Sequence, residues 1–321
     1  MTKILLSNPD KLHKIRQKQY KTNQTYRSSF LDKKTKYYKK KFTTRRNCPV
    51  CNHKDSVTIF KKEGGVFVKC KKCSMVYLNP VFKDKALIEY YKTNSDNQHL
   101  ACLQSPKFYS SIYGAGISMI KKKNKKKNLK ILDVGCCSGF FLDMCKKINW
   151  HTVGLELNKI DIKIAQKNHE IWSTPLENIK TIQKFDVITF WDCFEHLKHP
   201  KKTLDKCFGL LKKKGLIFFQ IPNSDSFAAK ILRDKCNMFD PIEHVNLFNK
   251  QSFSYLIKKS KYKLIKIKSV IDEINVTKKY LNYEDPYYGT IENLTKMNFL
   301  NEKNIHSNFL GYKLQILIQK K

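Results

Sequence analysis

The chain has 321 residues, 41% of them hydrophobic, and a formal net charge of +36. That length accommodates one large domain and a smaller one around a real apolar core, and no apolar run approaches the roughly 18 residues of a membrane-spanning helix. The charge comes from 58 lysines against five arginines; nucleic-acid recognition leans on the arginine fork, so the composition describes a solvated lysine-rich surface, with a polyanion-binding surface as the alternative.

Eleven cysteines, an odd number, lie mostly in or beside expected elements. They argue for free thiols and a metal in a reducing cytoplasmic setting and against a disulfide framework. Residues 1–46 are polar and basic, with Tyr20, Tyr26, Phe30, Tyr37, Tyr38 and Phe42 interspersed and no helical stripe. Lys3–Leu6 is followed at once by polar residues, so no secretory h-region is read there. The expectation is a flexible or loosely docked leader, although basic residues with aromatics are also a pattern for holding RNA.

Cys48-Pro-Val-Cys51 and Cys70-Lys-Lys-Cys73 come next, with 18 residues between the pairs. That is the spacing of a four-thiolate zinc site. Between them Val57, Ile59 and Phe60, then Val66–Val68, predict a hairpin around Gly64-Gly65. Residues 47–80 read as a zinc ribbon whose small core needs the metal. All four ligand positions are thiolates, which leaves no open coordination site and makes the zinc structural. Residues 81–128 read as a helical connector, with helices over 84–91 and 108–120 and a solvated lysine run at 121–127.

From Leu129 strands and helices alternate. Strands are predicted over 130–134, 152–157, 170–173, 186–191 and 216–221, with helices over 140–148, 159–168, 176–182 and 201–212. This spacing argues for an α/β fold, a parallel sheet with helices on both faces. A helix over 252–259 and strands over 262–270 and 314–318 follow. Residues 275–310, with Tyr280, Tyr283 and Asp285–Gly289, then form an insertion near the acceptor site.

Three stretches carry chemistry. In Lys130–Leu142, Asp133 closes a strand, Gly135 and Gly139 bracket a tight loop containing Cys136 and Cys137, and Phe140 begins a helix. Glycines let backbone approach a ligand, and the helix start offers free N–H groups. The spacing is not Gly-x-Gly-x-x-Gly, and the leading acid would repel a pyrophosphate; it suits a cofactor with an amine or a sulfonium. Glu156 ends the second strand, 21 residues after Gly135, where an acid can take ribose hydroxyls. In Phe185–Pro200, Asp192, Glu195 and His196 gather beyond the carboxyl end of the fourth strand, where ligands of open α/β sheets bind. His244 lies in Asp240–Phe248, a loop over the same end of the sheet.

The first stretch resembles motif I of class I S-adenosylmethionine (SAM)-dependent methyltransferases, usually Asp-x-Gly-x-Gly-x-Gly. Cys137 replaces the middle glycine, and its backbone is expected to avoid positive φ. The Asp192–Pro200 stretch resembles the Glu-x-x-Glu-His-x-x-x-Pro pattern of the ubiquinone-biosynthesis O-methyltransferase-like group, and Leu210–Gly215 and Ile221–Asn223 continue the match. The resemblance covers residues 129–260, and Val76–Pro80 after the last ribbon cysteine fits an arrangement of zinc ribbon followed by such a domain. It implies a seven-stranded Rossmann-like sheet over 129–321 with the last strand antiparallel near the edge. It also implies SAM held by Asp133, Gly135, Cys136, Gly139, Glu156, Leu157, Leu176 and Asp192.

His196 is then the candidate base, an imidazole with a pKa near neutrality that takes the acceptor's proton. Glu195 orients it, and His244 has a substrate or catalytic role. In the ubiquinone relatives the acidic cluster also holds a divalent ion, here at Asp192, Glu195 and His196, although Asp192 is shorter than the usual Glu. The expected acceptor is a small molecule, saccharide or lipid-linked intermediate, methylated at oxygen or carbon. Two alternatives are an RNA methyltransferase, with ribbon and leader holding RNA, and a non-catalytic SAM-fold binding protein. Trp191–His196 stands where an Asn- or Asp-Pro-Pro-Tyr base pocket is usual, which disfavours the first. Asp133 and Glu156 disfavour the second.

Overall fold

The computed structural model describes residues 27–87, 102–103, 105–272 and 301–321. Near the N-terminus β1 (Thr43–Thr44) pairs antiparallel with β5 (Val81–Phe82). Between them lie β2 (Ser56–Lys62), β3 (Gly65–Cys70) and β4 (Val76–Leu78). β2 and β3 make the expected hairpin, with Lys62 opposite Gly65. Its turn residues Glu63 and Gly64 both have positive φ, 46° and 86°, the handedness that matches strand twist in two-residue hairpins.

The rest of the chain contains α1 (Pro106–Lys123), β6 (Lys130–Val134), α2 (Phe140–Lys146), β7 (His151–Leu155), α3 (Lys159–Ala165), β8 (Glu170–Trp172), β9 (Phe185–Trp191), α4 (Pro200–Leu210), β10 (Leu211–Pro222), α5 (Phe227–Leu232), β11 (Asn246–Leu247), α6 (Lys250–Lys258), β12 (Tyr262–Val270), α7 (Glu302–Ser307) and β13 (Lys313–Lys320). One seven-stranded sheet has the order β12-β13-β10-β9-β6-β7-β8. The strands from β10 to β8 are parallel, and β13 runs antiparallel between β10 and β12. Every residue of β9 is buried, because parallel strands covered on both faces read as continuous apolar runs. One face packs Ile131, Val187 and Phe218 against Ile112, Ile117 and Ile120 of α1. The other packs Leu132, Ile188 and Phe219 against Phe253, Leu256 and Ile257 of α6. β6 and β9 are neighbours, as expected, with Leu132 beside Ile188. The chain winds away from β6 in both directions, so a crevice opens beyond the carboxyl ends of these two strands.

Several expectations change. The short helix over 176–182 is a 3-10 turn, Leu176–Asn178. The helix predicted from 84 begins there, and its continuation from 88 lies outside the described residues. Of the 275–310 insertion only 301–310 is described; it carries α7, capped by Asn301, whose side chain accepts from the Asn304 amide at 2.9 Å. Residues 27–46 are not loose: Arg27 is buried and forms ion pairs with Asp240 and Glu63, and Phe30 and Tyr38 pack on Phe82.

The expectation of a separate ribbon also gives way. Its sheet has the order β11-β4-β3-β2, with Asn246 opposite Tyr77 and Leu247 opposite Val76. Cys48, Cys70, Cys73 and Tyr77 belong to the same core as Phe194, Phe248 and Phe253. A hairpin this small buries little apolar surface alone; it gains a fourth strand from Asn246–Leu247 and shares a core with Phe194, Phe248 and Phe253. Among the described residues no helix is long and apolar enough to cross a membrane.

Candidate active site

The loop after β6 turns back sharply. The Gly135 and Cys136 amides both donate to the Leu155 carbonyl, at 2.8 and 3.1 Å, and Gly135 has φ 74°. Cys137 also lies at positive φ, 47°, which overturns the expectation that it avoids that region. The compensation is a charge-assisted hydrogen bond, from the Cys137 amide to Glu156 Oε2 at 2.9 Å. Glu156 Oε1 accepts from the Leu157 and Asn158 amides at 2.7 and 2.9 Å. The carboxylate at the end of β7 therefore ties both loops together.

Asp133 is buried, and its Oδ1 accepts from Thr189 Oγ1 of β9 at 2.6 Å. Burial pushes its carboxyl up to about 8, against the lowering effect of Thr189 and with help from the Glu156 charge. A cavity of about 540 Å³ opens above these groups, with Asp133, Gly135, Cys136, Glu156, Leu157, Leu176, Asp192 and His196 among its walls. Gly139 is not on this wall. It caps α2 at φ 90°, and a Cβ there would come 3.2 Å from His169 Cδ2. Its requirement is the turn itself, against a histidine that bridges Asp143 and Thr152 at 2.9 Å each.

The acceptor side is built on the 3-10 turn Phe194–His196 after β9. Asp192 Oδ2 accepts from Gln220 Nε2 at 3.0 Å and pairs with Lys313. Its Oδ1 is buried with no hydrogen bond among the described residues. Both carboxyl oxygens of Glu195 are in the same condition. Burial, then the charge of Asp192, pushes the Glu195 carboxyl well up from its ordinary value. His196 Nε2 is 3.9 Å from Glu195 Oε1, beyond hydrogen-bond range. The His196 and His244 rings lie 5.0 Å apart at 82°. His244 Nδ1 faces the Met238 carbonyl at 2.5 Å; a carbonyl only accepts, so Nδ1 carries the proton and Nε2 the lone pair.

Burial lowers the pKa of both histidines, that of His196 well below 6.5 with His244 and Lys313 contributing. The near-neutral pKa expected for His196 thus gives way to a lowered one. His196 lines the cavity, whereas Glu195 and His244 sit behind it. The donor atoms of Glu195, His196 and His244 all lie within 4.8 Å of one another. His244 thus takes the position expected for Asp192 in a cation set, because Lys313 and Gln220 already engage Asp192. Lys313 escaped the sequence reading. It lies 121 residues from Asp192, and only the antiparallel return of β13 beside β10 brings them together.

In the ribbon the Cys48 and Cys73 sulfurs are 3.5 Å apart, and those of Cys51 and Cys70 3.4 Å; all four lie within 4.8 Å of one another. Four sulfurs bonded to one zinc at about 2.3 Å stand about 3.8 Å apart, so the set fits a tetrahedral ion. Each Cys-x-x-Cys turn ends in a left-handed residue, Asn52 at φ 60° and Ser74 at φ 61°, whose amide returns to the Cys48 or Cys70 carbonyl. That aims both sulfurs of a turn at one point.

Residues 107–267 match a family model described as a methyltransferase domain. The ubiquinone biosynthesis O-methyltransferase of Actinobacillus pleuropneumoniae is 28% identical over 116 residues, 32% of this chain and 50% of that protein. That of Colwellia psychrerythraea is 25% identical over 125 residues, 36% of this chain and 51% of that protein. The chain spans about half the length of these curated relatives. Among solved structures, a SAM-dependent methyltransferase from Archaeoglobus fulgidus superposes with a TM-score of 0.51 at 21% identity, over 70% of this chain and 100% of that one. The plantazolicin methyltransferase BpumL in complex with SAH gives 0.50 at 17% identity, over 74% and 95%. At these identities the likeness concerns the fold.

Proposed function

The chain belongs to the methyltransferase-domain family of the class I fold, and on that premise we propose that it moves a methyl group from SAM to the oxygen or carbon of a small-molecule acceptor, including a saccharide or lipid-linked intermediate. SAM, when bound, supplies an electrophilic methyl group on a sulfonium. The carrying observation is the cavity beyond β6 and β9, with Asp133 and Glu156 on one wall and His196 on another. Asp192, with one buried oxygen unmatched among the described residues, suits a cation, and Asp133, held up at about 8 by burial in the free protein, would ionise beside one. Glu156 lines the cavity at the end of β7 and, held by three backbone amides, presents its carboxylate to a ribose hydroxyl. Gly135 and Cys136 let backbone approach the cofactor, and Leu157 and Leu176 flank its base.

A sulfonium is already a good leaving group, so the protein's task is to orient the acceptor and remove its proton. His196, its pKa lowered by burial, takes that proton, with the His244 ring packed edge-on beside it and Glu195 3.9 Å away. The names of the curated relatives, O-methyltransferases of ubiquinone biosynthesis, support an oxygen acceptor. Cys48, Cys51, Cys70 and Cys73 hold a structural zinc, supported by their mutual distances. The deciding experiment incubates the protein with methyl-labelled SAM and panels of phenolic, sugar and prenylated acceptors, with mass detection of labelled product. SAM binding without transfer to any acceptor, RNA included, would make the chain a SAM-fold binding protein.

A further inference from the structure

Arg46 belongs neither to the cysteine cluster nor to the cavity, yet it is the most heavily engaged cation in the ribbon. Its Nε donates to the Leu78 carbonyl at 3.3 Å and its Nη1 to the Lys198 carbonyl at 3.0 Å. Its Nη2 donates to the Val245 carbonyl at 2.5 Å and to Asn246 Oδ1 at 3.0 Å. The guanidinium lies 5.4 Å from the centre of the Tyr77 ring. Its own backbone is fixed by Asn79, which accepts from the Arg46 amide at 3.1 Å and donates to its carbonyl at 3.0 Å. One side chain thus joins the end of β4, the residue two places after His196 and the residue next to His244. Asn246 closes the circuit by donating to the Leu197 carbonyl at 2.7 Å.

All these acceptors are neutral oxygens; among the described residues no carboxylate pairs with Arg46. A charge held this way costs desolvation that an ion pair would offset. What a guanidinium contributes here is geometry, a planar fork of donors that fixes several carbonyls at set distances. A lysine ammonium is a single point and cannot span the same set.

We infer that Arg46 is a positioning residue for the acceptor-side histidines: it sets the spacing between the turn carrying His196 and the segment carrying His244, and ties that spacing to the ribbon through β4. The inference rests on the proposed role of His196. Arg46 touches neither the glycine loop nor Glu156, so its loss should change turnover and leave cofactor binding alone.

The test uses the zinc-loaded full chain with Arg46→Ala, Arg46→Lys and, as control, the exposed Arg45→Ala. In both Arg46 variants kcat should fall about 10- to 100-fold, the scale of a misplacement of about 1 Å, with SAM affinity by calorimetry and zinc content unchanged. Amide hydrogen exchange over residues 245–248 should accelerate in the Arg46 variants and not in Arg45→Ala. Added guanidinium ion should restore part of kcat in Arg46→Ala and none in Arg46→Lys. Unchanged kcat and exchange would overturn the inference, as would SAM affinity falling in step with kcat. If Arg46→Ala does not fold, Arg46→Lys alone decides. Should the wild-type chain methylate no acceptor, the proposed function fails, and hydrogen exchange still judges Arg46.

Discussion

Glu156→Gln separates cofactor recognition from loop architecture. The carboxylate accepts the Cys137, Leu157 and Asn158 amides and lines the cavity, where it is the proposed acceptor for a ribose hydroxyl. The glutamine oxygen can keep the Leu157 and Asn158 pair. Its amide group then meets the Cys137 N–H donor to donor, and the ribose hydroxyl loses a charged acceptor. A hydrogen bond to a charged group contributes about 1.5–3 kcal/mol, so SAM should bind about 10- to 150-fold more weakly. Calorimetry with SAM and with an analogue lacking the ribose hydroxyls makes a double-mutant cycle. The wild type should lose affinity for the analogue by a similar factor, and the variant should lose little more. Equal SAM affinity in both proteins, or full additivity in the cycle, would remove Glu156 from ribose recognition and leave it a loop post.

Four histidine, acid and thiol tests follow from the same geometry. Cys70→Ser should abolish bound zinc by elemental analysis and, because β4 pairs with β11, lower kcat while SAM affinity holds; a parallel loss of SAM affinity would contradict that coupling. Asp133→Asn should weaken SAM binding and raise the Tm of the free protein. The unfolded carboxyl ionises near 3.8 and the folded one near 8, so the cost of keeping Asp133 grows across that window, and the gain in Tm should be larger at pH 8 than at pH 5. His196→Ala should lower kcat about 10²–10⁴-fold with SAM affinity unchanged. In the wild type the rate should rise with pH through a value below 6.5 and be level at neutrality, since burial depresses the His196 pKa; a rise centred above neutrality would contradict a buried base. Strict dependence on added Mg²⁺ would instead make Glu195, His196 and His244 cation ligands.

The parts legible in the sequence were those governed by short-range rules. Strand β9 reads as a mostly apolar run, interrupted by Asp186 and Thr189, because both its faces are covered. The paired Cys-x-x-Cys turns and the hairpin read locally as well, the latter one residue late, at Gly64-Gly65 where the turn is Glu63-Gly64. What escaped depends on contacts distant in sequence. β11 has two residues and no periodicity, and it exists because β4 offers an open edge. The positive φ of Cys137 is set by a glutamate 19 positions on, which a residue-by-residue conformational rule does not see. Gly139 was assigned to the ligand because glycines in such loops usually face one, whereas here the left-handed turn and His169 account for it. Lys313 joins Asp192 only once β13 is folded back beside β10.

The antiparallel position of β13 bears on how the chain acquires its shape during synthesis. β13 fills the gap between β10 and β12, pairing with both along nearly its whole length. Until residues 313–320 emerge from the ribosome, β10 presents an open apolar edge through Leu216–Ile221, and β12 has no neighbour. Such edges invite pairing with other nascent chains, and closure awaits contacts of high sequence separation, which form slowly. Lys313, the partner of Asp192, arrives on the same strand. The sheet therefore stays open until that late insertion, and variants that weaken β13 should be lost first as yield in the cell.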